Sequence, residues 1–232
     1  MKTLFIEARY KKIVMLPKKV VDKLPKKICF FTTVQFMDSV DPIIKQLEKA
    51  GKKVITAKSR HSFHDAQILG CGIEPIKQDV DAFLYLGDGN FHPRALLIDN
   101  DKPFYCFEPF GGKFFRLDNK EIEKIKKKKK GALLKFLSSD NIGVITTTKP
   151  GQNMMRASFA IEDDFPDKRF YYIMFNTIDF SQLENFPFIE CFVNTACPRM
   201  GYEDIDKVTK PMINIDDIPF PKNSKFKSYW KK

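Results

Sequence analysis

Two of the five cysteines lie where a thiolate could carry chemistry. Cys71, in ILGCG, and Cys197, in TACPRMG, each end a predicted element beside glycine or proline. Loops at strand ends hold many ligand and catalytic groups in open α/β sheets, so each thiolate could be a metal ligand, a nucleophile or neither. The other three cysteines lie within apolar, strand-like runs, where a free thiol packs as a small hydrophobe; they are Cys29, Cys106 and Cys191.

Polar residues also follow two predicted strands in the first half of the chain. Gln35 ends an apolar strand, where it could contact a ligand or simply cap the strand end. In the segment LGDGNFHP, Gly87 and Gly89 flank Asp88, and the backbone N–H groups of such a turn can face an anion. His92 in the same segment could act as a general base, or it could orient the loop by hydrogen bonding.

The second half of the chain contains two similar strand-to-loop junctions. They are Thr148–Gln152 (TKPGQ) and Thr195–Arg199 (TACPR), and in the latter Arg199 could offer a fixed charge to a ligand carboxylate. A pair of histidines, His61 and His64, has the i, i+3 spacing of possible metal ligands. No nearby cysteine or carboxylate pattern completes a zinc site around them, so we do not assign one.

Short β-rich runs alternate with helical runs, which predicts βαβ units and an α/β fold with a mainly parallel sheet. The predicted strands are Thr3–Ala8, Ile28–Gln35, Lys53–Ala57, Ala82–Leu86, Pro103–Phe107, Ile142–Thr147, Phe170–Phe175, Phe188–Asn194 and Pro211–Ile215. The predicted helices are Ser39–Ala50, Asn119–Ser138, Asn153–Ile161 and a short helix after Asp179. A strand-rich segment passes into a lysine-rich helix near residues 116–120, so we expect domains at 1–117 and 118–232. The basic tail from about residue 219 is expected to fray.

The composition suits one large or two small globular domains, since the 232 residues are 43% apolar and 30% charged. The formal net charge of +11 indicates either a protein that binds an acidic partner or a soluble protein whose surface is coated with lysine. The run Lys126–Lys130 lies in a helical pattern, which favours a solvated helix face over a nucleic-acid patch. No signal peptide or membrane span is visible, so a cytoplasmic protein with no membrane or direct nucleic-acid role is expected.

Taken together, the singled-out segments resemble the 2-(3-amino-3-carboxypropyl)histidine synthase family, which begins diphthamide synthesis. The motifs TVQF, QILGC, YLGDGNFHP, TTKPGQ, VNTACPR and KPMINIDD occur here in the order of that family. The resemblance covers nearly the whole chain, to about Ile218. The separation of the two loop cysteines, 197 − 71 = 126 residues, is about what one intervening domain of that family requires.

The resemblance implies similar small α/β domains with mainly parallel sheets flanked by helices, each providing one cysteine to a 4Fe-4S cluster. It implies that the cluster and S-adenosylmethionine generate a 3-amino-3-carboxypropyl radical, which adds to a histidine of translation elongation factor 2. Cys71 and Cys197 would be cluster ligands, with sulfurs within roughly 6–8 Å of each other in one cavity. The residues that would line the S-adenosylmethionine pocket are Gln35, Gly87, Asp88, Gly89, His92, Gly151, Gln152 and Arg199.

The sequence departs from the family pattern because it matches only the family's second and third domains. The family's first domain carries the other cluster cysteine, so a partner chain or a second copy would supply it. The alternatives are that Cys29, Cys106 or Cys191 is recruited, or that the activity is lost. A non-catalytic member that binds a partner or the elongation factor, and a different radical reaction in the same pocket, are the competing interpretations.

Overall fold

Short strands alternate with helices along the described chain, as the βαβ interpretation requires. The computed structural model describes residue 4 and residues 6–59, 61–72, 74–118 and 120–226, apart from the side chain of residue 121. The chain divides into two compact units, Met1–Ile122 (unit 1) and Glu123–Lys232 (unit 2). The division therefore falls inside a helix, a few residues after the boundary expected at 117/118.

Unit 1 is built around a five-stranded sheet. Its strands are β1 (Lys27–Thr32), β2 (Lys53–Thr56), β3 (Ala82–Leu86), β4 (Phe104–Glu108) and β5 (Lys113–Arg116). They lie in the order β2-β1-β3-β4-β5, with β1 to β4 parallel and β5 antiparallel at the edge. Its helices are α1 (Lys18–Val21), α2 (Val40–Lys49) and α3 (Phe91–Ile98), and a 3-10 helix, Val34–Ser39, follows β1.

The central strands of unit 1 are buried on both faces, which explains their nearly continuous apolar sequence. Ile43 and Leu47 of α2 pack with Phe30 and Leu84 on one face of the sheet. Because side chains alternate along a strand, Phe83 and its neighbours on the opposite face form a separate layer. An apolar layer therefore covers each face of the sheet.

Unit 2 repeats this plan with four parallel strands. They are β6 (Asn141–Thr147), β7 (Arg169–Phe175), β8 (Cys191–Asn194) and β9 (Met212–Asn214), in the order β7-β6-β8-β9. The helices are α4 (Lys120–Ser138), which begins in unit 1, α5 (Met155–Ser158), α6 (Ile161–Asp164) and α7 (Met200–Glu203). Three 3-10 helices complete the unit at Phe180–Asn185, Ile205–Lys207 and Ile215–Asp217. With β6 in the place of β1, the strand order is that of the parallel part of unit 1.

The lysine-rich helix α4 is anchored on unit 2 through both of its faces. Phe136 is buried in the apolar cluster of the sheet. On the other face, Lys128 pairs with Asp206 and lowers its pKa, and Lys129 lies 2.6 Å from Asp217. Part of the basic run therefore has acidic partners within its own unit.

The expected α/β class with mainly parallel sheets flanked by helices is confirmed, but several details differ. The described residues of the predicted strand Thr3–Ala8 are not in a strand, and Leu4 and Ile6 are exposed. The predicted helix Asn153–Ile161 is instead divided into α5 and α6. None of the helices in the described ranges has the length and apolar character that crossing a bilayer requires.

The expected fraying of the tail is wrong for residues 219–226. Phe220 and Phe226 are buried and stack on each other with ring centroids 4.6 Å apart. The Ser224 hydroxyl donates a 2.5 Å hydrogen bond to the Asp164 carboxylate. Two aromatic anchors therefore outweigh the basic, proline-containing composition of this segment; residues 227–232 lie outside the described chain.

Candidate functional site

The sheet of unit 1 has a switch point between β1 and β3, where connections leave towards opposite sides. In sheets of this order, ligands bind beyond the carboxyl ends of the two strands at the switch point. Thr32 ends β1, and its hydroxyl donates a buried 2.7 Å hydrogen bond to the carbonyl of Leu86 at the end of β3. This bond holds the two strand ends together directly below the edge where a ligand is expected.

A cleft of about 490 Å³ opens at this edge of unit 1. Its polar lining includes Gln35, Gln67, Asp88 and His92, and Tyr85 belongs to its aromatic wall. The volume lies in the range of small-molecule sites, roughly 300–1,000 Å³. Three residues expected to bind the cofactor, Gln35, Asp88 and His92, therefore share one cleft.

The elements that present these three residues differ from the predicted ones. Gln35 lies in the 3-10 helix after β1, and its carbonyl accepts a 2.7 Å hydrogen bond from the Tyr10 N–H. His92 is the second residue of α3, where a loop was expected. Pro93 follows without breaking the helix, because a proline in the first helical turn removes no hydrogen bond.

Two glycines allow the walls of the cleft to approach closely. A Cβ on Gly87 would lie 2.3 Å from the Tyr85 hydroxyl, and a Cβ on Gly70 would lie 2.2 Å from the Phe91 ring. Both distances are shorter than any tolerated carbon contact, so side chains at these positions would displace Tyr85 or Phe91. Gly70 thereby brings the loop of Cys71 against the start of α3.

The segment leading to Cys71 is paired against the end of β1. The Thr32 N–H donates to the Ala66 carbonyl, and the Ile68 N–H donates to the Thr32 carbonyl, both at 2.8 Å. The buried Gln67 side chain accepts hydrogen bonds from two backbone N–H groups of the preceding loop, at 2.8 and 3.1 Å. The Ala66 backbone adopts a left-handed φ of 65°, which is uncommon for a residue other than glycine. These contacts hold Cys71, which is half-buried, near the same sheet edge as the cleft.

His64 belongs to a charged cluster beside the cleft. Its Nε2 lies 2.5 Å from the Glu7 carboxylate, and Arg9 pairs with Glu7 at 2.6 Å and with Asp38 at 2.7 Å. The hydrogen bonds from Arg9 and His64 lower the pKa of Glu7. His64 thus has a carboxylate partner, whereas His61 is exposed.

In unit 2, the loop of Cys197 is held by two buried asparagines on neighbouring strands. Asn194 and Asn214 face each other in the register of β8 and β9, and their side chains share a 2.7 Å hydrogen bond. Asn194 Nδ2 also donates to the Cys197 carbonyl, and Asn214 Nδ2 donates to the Pro198 carbonyl, both at 2.8 Å. The Ala196 N–H donates to Asn194 Oδ1 at 3.0 Å. The amide pair thus fixes the backbone on both sides of the Cys197 thiol.

Replacing Asn194 with alanine should destabilise unit 2 by about 2–3 kcal/mol, because the half-buried Ala196 N–H and the buried Asn214 Oδ1 would each lose a hydrogen-bond partner. Urea unfolding of the full chain, with a probe in unit 2, measures the change. Asn176→Ala is the control, since Asn176 is exposed, and it should change stability by less than about 0.5 kcal/mol. Equal effects of the two substitutions would contradict the role given to Asn194.

The other expected site residues of unit 2 lie in two loops after β6 and β8. Gly151 has a φ of 80°, and the exposed Gln152 donates its backbone N–H to the Lys149 carbonyl at 3.1 Å. Arg199 is only 3% exposed, and its guanidinium donates to Glu203, four residues further on. The charge of Arg199 therefore already has a carboxylate partner within α7. The use of these three residues by a ligand stays a prediction.

Burial separates the five cysteines into two groups. Removal from water raises the pKa of Cys29, Cys106 and Cys191 to about 12 in each case, so these thiols stay protonated. Cys71 and Cys197 are half-buried, each in a loop of its own unit. Within the ranges that the structure describes, no group of three His, Cys, Asp or Glu side chains is placed to hold a metal ion.

Four residues that shape the two sites were not predicted from the sequence: Gln67, Tyr85, Asn194 and Asn214. The two asparagines lie in the family motifs VNTACPR and KPMINIDD, but their pairing depends on the register of β8 and β9. The sequence feature that could have indicated the pair is an asparagine at the end of each of two apolar strands. Such polar ends are usual at parallel sheet edges, so the signal alone could not identify a buried pair.

Comparison with known proteins gives a consistent family likeness. Residues 1–220 match the diphthamide synthesis protein family. The chain is 28% identical over 202 residues to 2-(3-amino-3-carboxypropyl)histidine synthase of Pyrococcus horikoshii, covering 85% of this chain and 58% of the relative. It is 26% identical over 194 residues to subunit 1 of the synthase of Encephalitozoon cuniculi, covering 83% of this chain and 55% of the relative.

Solved structures show the same likeness in three dimensions. The crystal structure of Dph2 from Pyrococcus horikoshii matches with a TM-score of 0.70 and 26% identity, over 85% of this chain and 57% of that one. The crystal structure of the same protein with a 4Fe-4S cluster matches equally well. The chain therefore spans a little over half the length of the relatives it matches.

Proposed function

Because this chain belongs to the diphthamide synthesis protein family, we propose that it is a subunit of the enzyme that transfers a 3-amino-3-carboxypropyl group from S-adenosylmethionine to a histidine of translation elongation factor 2. The relatives are named as synthases of that modified histidine, which supports an enzymatic role. The observation that carries the proposal is the division of the cysteines. Only Cys71 and Cys197 combine a loop position with partial exposure.

The donor chemistry of these residues fits two of the ligands of an iron–sulfur cluster. Clusters are held by thiolates, and a thiol that is to lose its proton must not be buried in apolar surroundings. Cys71 and Cys197 meet this condition, and the structural relative with a 4Fe-4S cluster supports the choice of group. When bound, the cluster supplies the electron that cleaves the carbon–sulfur bond of S-adenosylmethionine.

The cleft of unit 1 provides the groups to bind S-adenosylmethionine. Asp88 is an exposed carboxylate suited to the ammonium or sulfonium charge, and Gln35 offers both a donor and an acceptor. His92 can orient the ligand from the first turn of α3. Gly87 and Gly89 let the turn between β3 and α3 pass close to it. These residues bind and orient the ligand; we assign no proton transfer to them.

We place the third cluster ligand on a partner chain that carries the family's first domain. Two accessible thiols fall short of the three that the resemblance implies, and recruiting Cys29, Cys106 or Cys191 would draw a buried residue out of its strand. A relative named as subunit 1 of the synthase supports an enzyme of more than one chain. A second copy of this chain is the other possible partner.

Replacing Gln152 with alanine should weaken S-adenosylmethionine binding by about fivefold while stability changes by less than about 0.5 kcal/mol, because an exposed amide contributes one hydrogen bond and little packing. Calorimetric titration and thermal unfolding of the full chain measure the two effects. Gln182→Ala is the matched control, since Gln182 is an exposed glutamine on the 3-10 helix Phe180–Asn185. An unchanged affinity for Gln152→Ala would remove Gln152 from the site.

Anaerobic reconstitution with iron and sulfide, with and without candidate partner chains, tests the function itself. S-adenosylmethionine cleavage and transfer to elongation factor 2, followed by peptide mass spectrometry, are the expected results for the assembled enzyme. An assembly that holds the cluster and binds the elongation factor without transferring the group would instead identify a non-catalytic member.

A further inference from the structure

The hydroxyl of Tyr85 is a buried polar group with no hydrogen-bond partner among the described residues. Tyr85 is 0% exposed and belongs to β3, where it pairs in register with Phe31 of β1 and Cys106 of β4. Buried hydroxyl groups are rarely left unpaired, because the loss of hydration is then not compensated. An unpaired hydroxyl beside a ligand cleft therefore indicates that the bound ligand supplies the missing hydrogen-bond partner.

The position of the hydroxyl is set by Gly87, two residues further along the chain. Side chains two apart in a strand point to the same face, so the Tyr85 ring runs beneath Gly87 towards the carboxyl end of the sheet. A Cβ on Gly87 would lie 2.3 Å from the hydroxyl oxygen. Because Gly87 has no side chain, the Tyr85 hydroxyl fits beside it, next to the cleft that Tyr85 lines.

The turn between β3 and α3, which begins at Gly87, contains a second polar atom without a hydrogen-bond partner among the described residues. This atom is Asn90 Oδ1, which is buried. Asn90 occupies the N-cap position of α3, yet its side chain makes no capping hydrogen bond. Asparagine is a favoured N-cap, so a side chain that leaves this role unused is unusual. The Tyr85 hydroxyl, through its position beside Gly87, and the Asn90 side chain therefore both border the turn between β3 and α3.

The character of the cleft indicates which part of a ligand reaches this wall. Val34, Ile68, Leu69 and Tyr10 give it an apolar and aromatic lining, while the charged groups of Arg9 and Asp88 also border it. Burial raises the pKa of Tyr85, so the phenol stays protonated and acts as a neutral donor. Uncharged acceptors on an apolar, planar body match these surroundings better than a carboxylate does.

We propose that the Tyr85 hydroxyl donates a hydrogen bond to the adenosine part of S-adenosylmethionine and is a specificity-determining residue of the cleft. This inference rests on the proposed function, because it takes S-adenosylmethionine as the ligand. Tyr85 then recognises the nucleoside, while the charged methionine end is bound by other residues.

Substitution of Tyr85 with phenylalanine tests this inference, because it removes only the hydroxyl. Affinities of the full chain are measured by calorimetric titration with S-adenosylmethionine and with 5′-methylthioadenosine, which lacks the amino-acid end. Tyr85→Phe should weaken both by the same factor, about five- to tenfold. The melting temperature without ligand should stay the same or rise, since an unpaired buried hydroxyl has been removed.

Tyr105→Phe is the matched control, because Tyr105 lies on the neighbouring strand β4, stacks on Phe114 and packs with the opposite apolar cluster. It should leave both affinities unchanged. Unchanged affinities of Tyr85→Phe, or weaker binding together with a lower melting temperature, would overturn the inference and leave the proposed function standing. A wild-type chain that binds neither ligand would overturn the inference, whereas group transfer by the assembled enzyme separately tests the function.

Discussion

Replacing either Cys71 or Cys197 with serine should abolish stable binding of a 4Fe-4S cluster. Iron in clusters is held by thiolate sulfur, and a serine hydroxyl does not replace that ligand at neutral pH. S-adenosylmethionine cleavage by the assembled enzyme should fall by more than about 100-fold, since loss of an outer-shell partner alone costs roughly 10–100-fold in metal affinity or activity. Iron and sulfide content and visible absorbance after anaerobic reconstitution give the readout.

The buried cysteines provide a control within each unit. Cys29→Ala and Cys106→Ala serve for Cys71, and Cys191→Ala serves for Cys197, because their thiols are buried and protonated. These variants should keep the cluster and lose only stability, by about 1 kcal/mol, from the cavity left in the core. A folded variant of a buried cysteine that lost the cluster would show that this thiol has been recruited. A full cluster on Cys71→Ser would remove Cys71 from the ligand set.

The chain alone should retain little cluster, and a partner with the family's first domain should restore it. Two thiolates leave the cluster to take a third ligand from solvent, from a buffer thiol or from a strand cysteine. Moving a strand cysteine into a site loses packing of its side chain, typically about 1–3 kcal/mol, and also breaks strand hydrogen bonds. A loop cysteine on another domain avoids both costs.

The measurement is iron and sulfide bound per chain after reconstitution and removal of free thiols, with and without the partner. A partner whose own loop cysteine is replaced by serine is the control, and it should dock without restoring the cluster. A full four-iron cluster on the chain alone, surviving combined replacement of Cys29, Cys106 and Cys191, would show that no third protein thiolate is needed.

The elements predicted with the correct bounds are those whose pattern of apolar residues matches the burial of their side chains. β3 was predicted at Ala82–Leu86, as found, because five consecutive apolar residues match a strand buried on both faces. β5 and α3 were missed. The four residues of β5 qualify as a strand only through their antiparallel register with β4, and the glycines of LGDGNFHP suggested a loop that continues through His92, where α3 has already begun. The first error concerns tertiary pairing, whereas the second is local, because a proline in the first helical turn is compatible with a helix.

Sequence motifs identified some of the residues that line the cleft of unit 1, but not how those residues are arranged. Asp88 and His92 were identified from a short glycine-containing segment, and the structure places both in the cleft with Gln35. The asparagine pair beneath Cys197 was missed, because its two members are joined only when β8 and β9 pair in the observed register. Tyr85 was missed as well, since an aromatic residue inside an apolar strand is usually core. Its unpaired hydroxyl became visible only with the fold.

The parallel strands of the two units have the same order, but the two loop cysteines follow different strands. This difference bears on how the chain evolved. Cys71 lies in the connection between β2 and β3, whereas Cys197 follows β8, which corresponds to β3. Superimposing the sheets would pair Cys197 with the turn of Asp88, and Cys71 with the connection between β7 and β8. If one ancestral domain was duplicated, the two thiols are not copies of one ancestral residue. The two halves would then share their strand order but not the position of the loop cysteine.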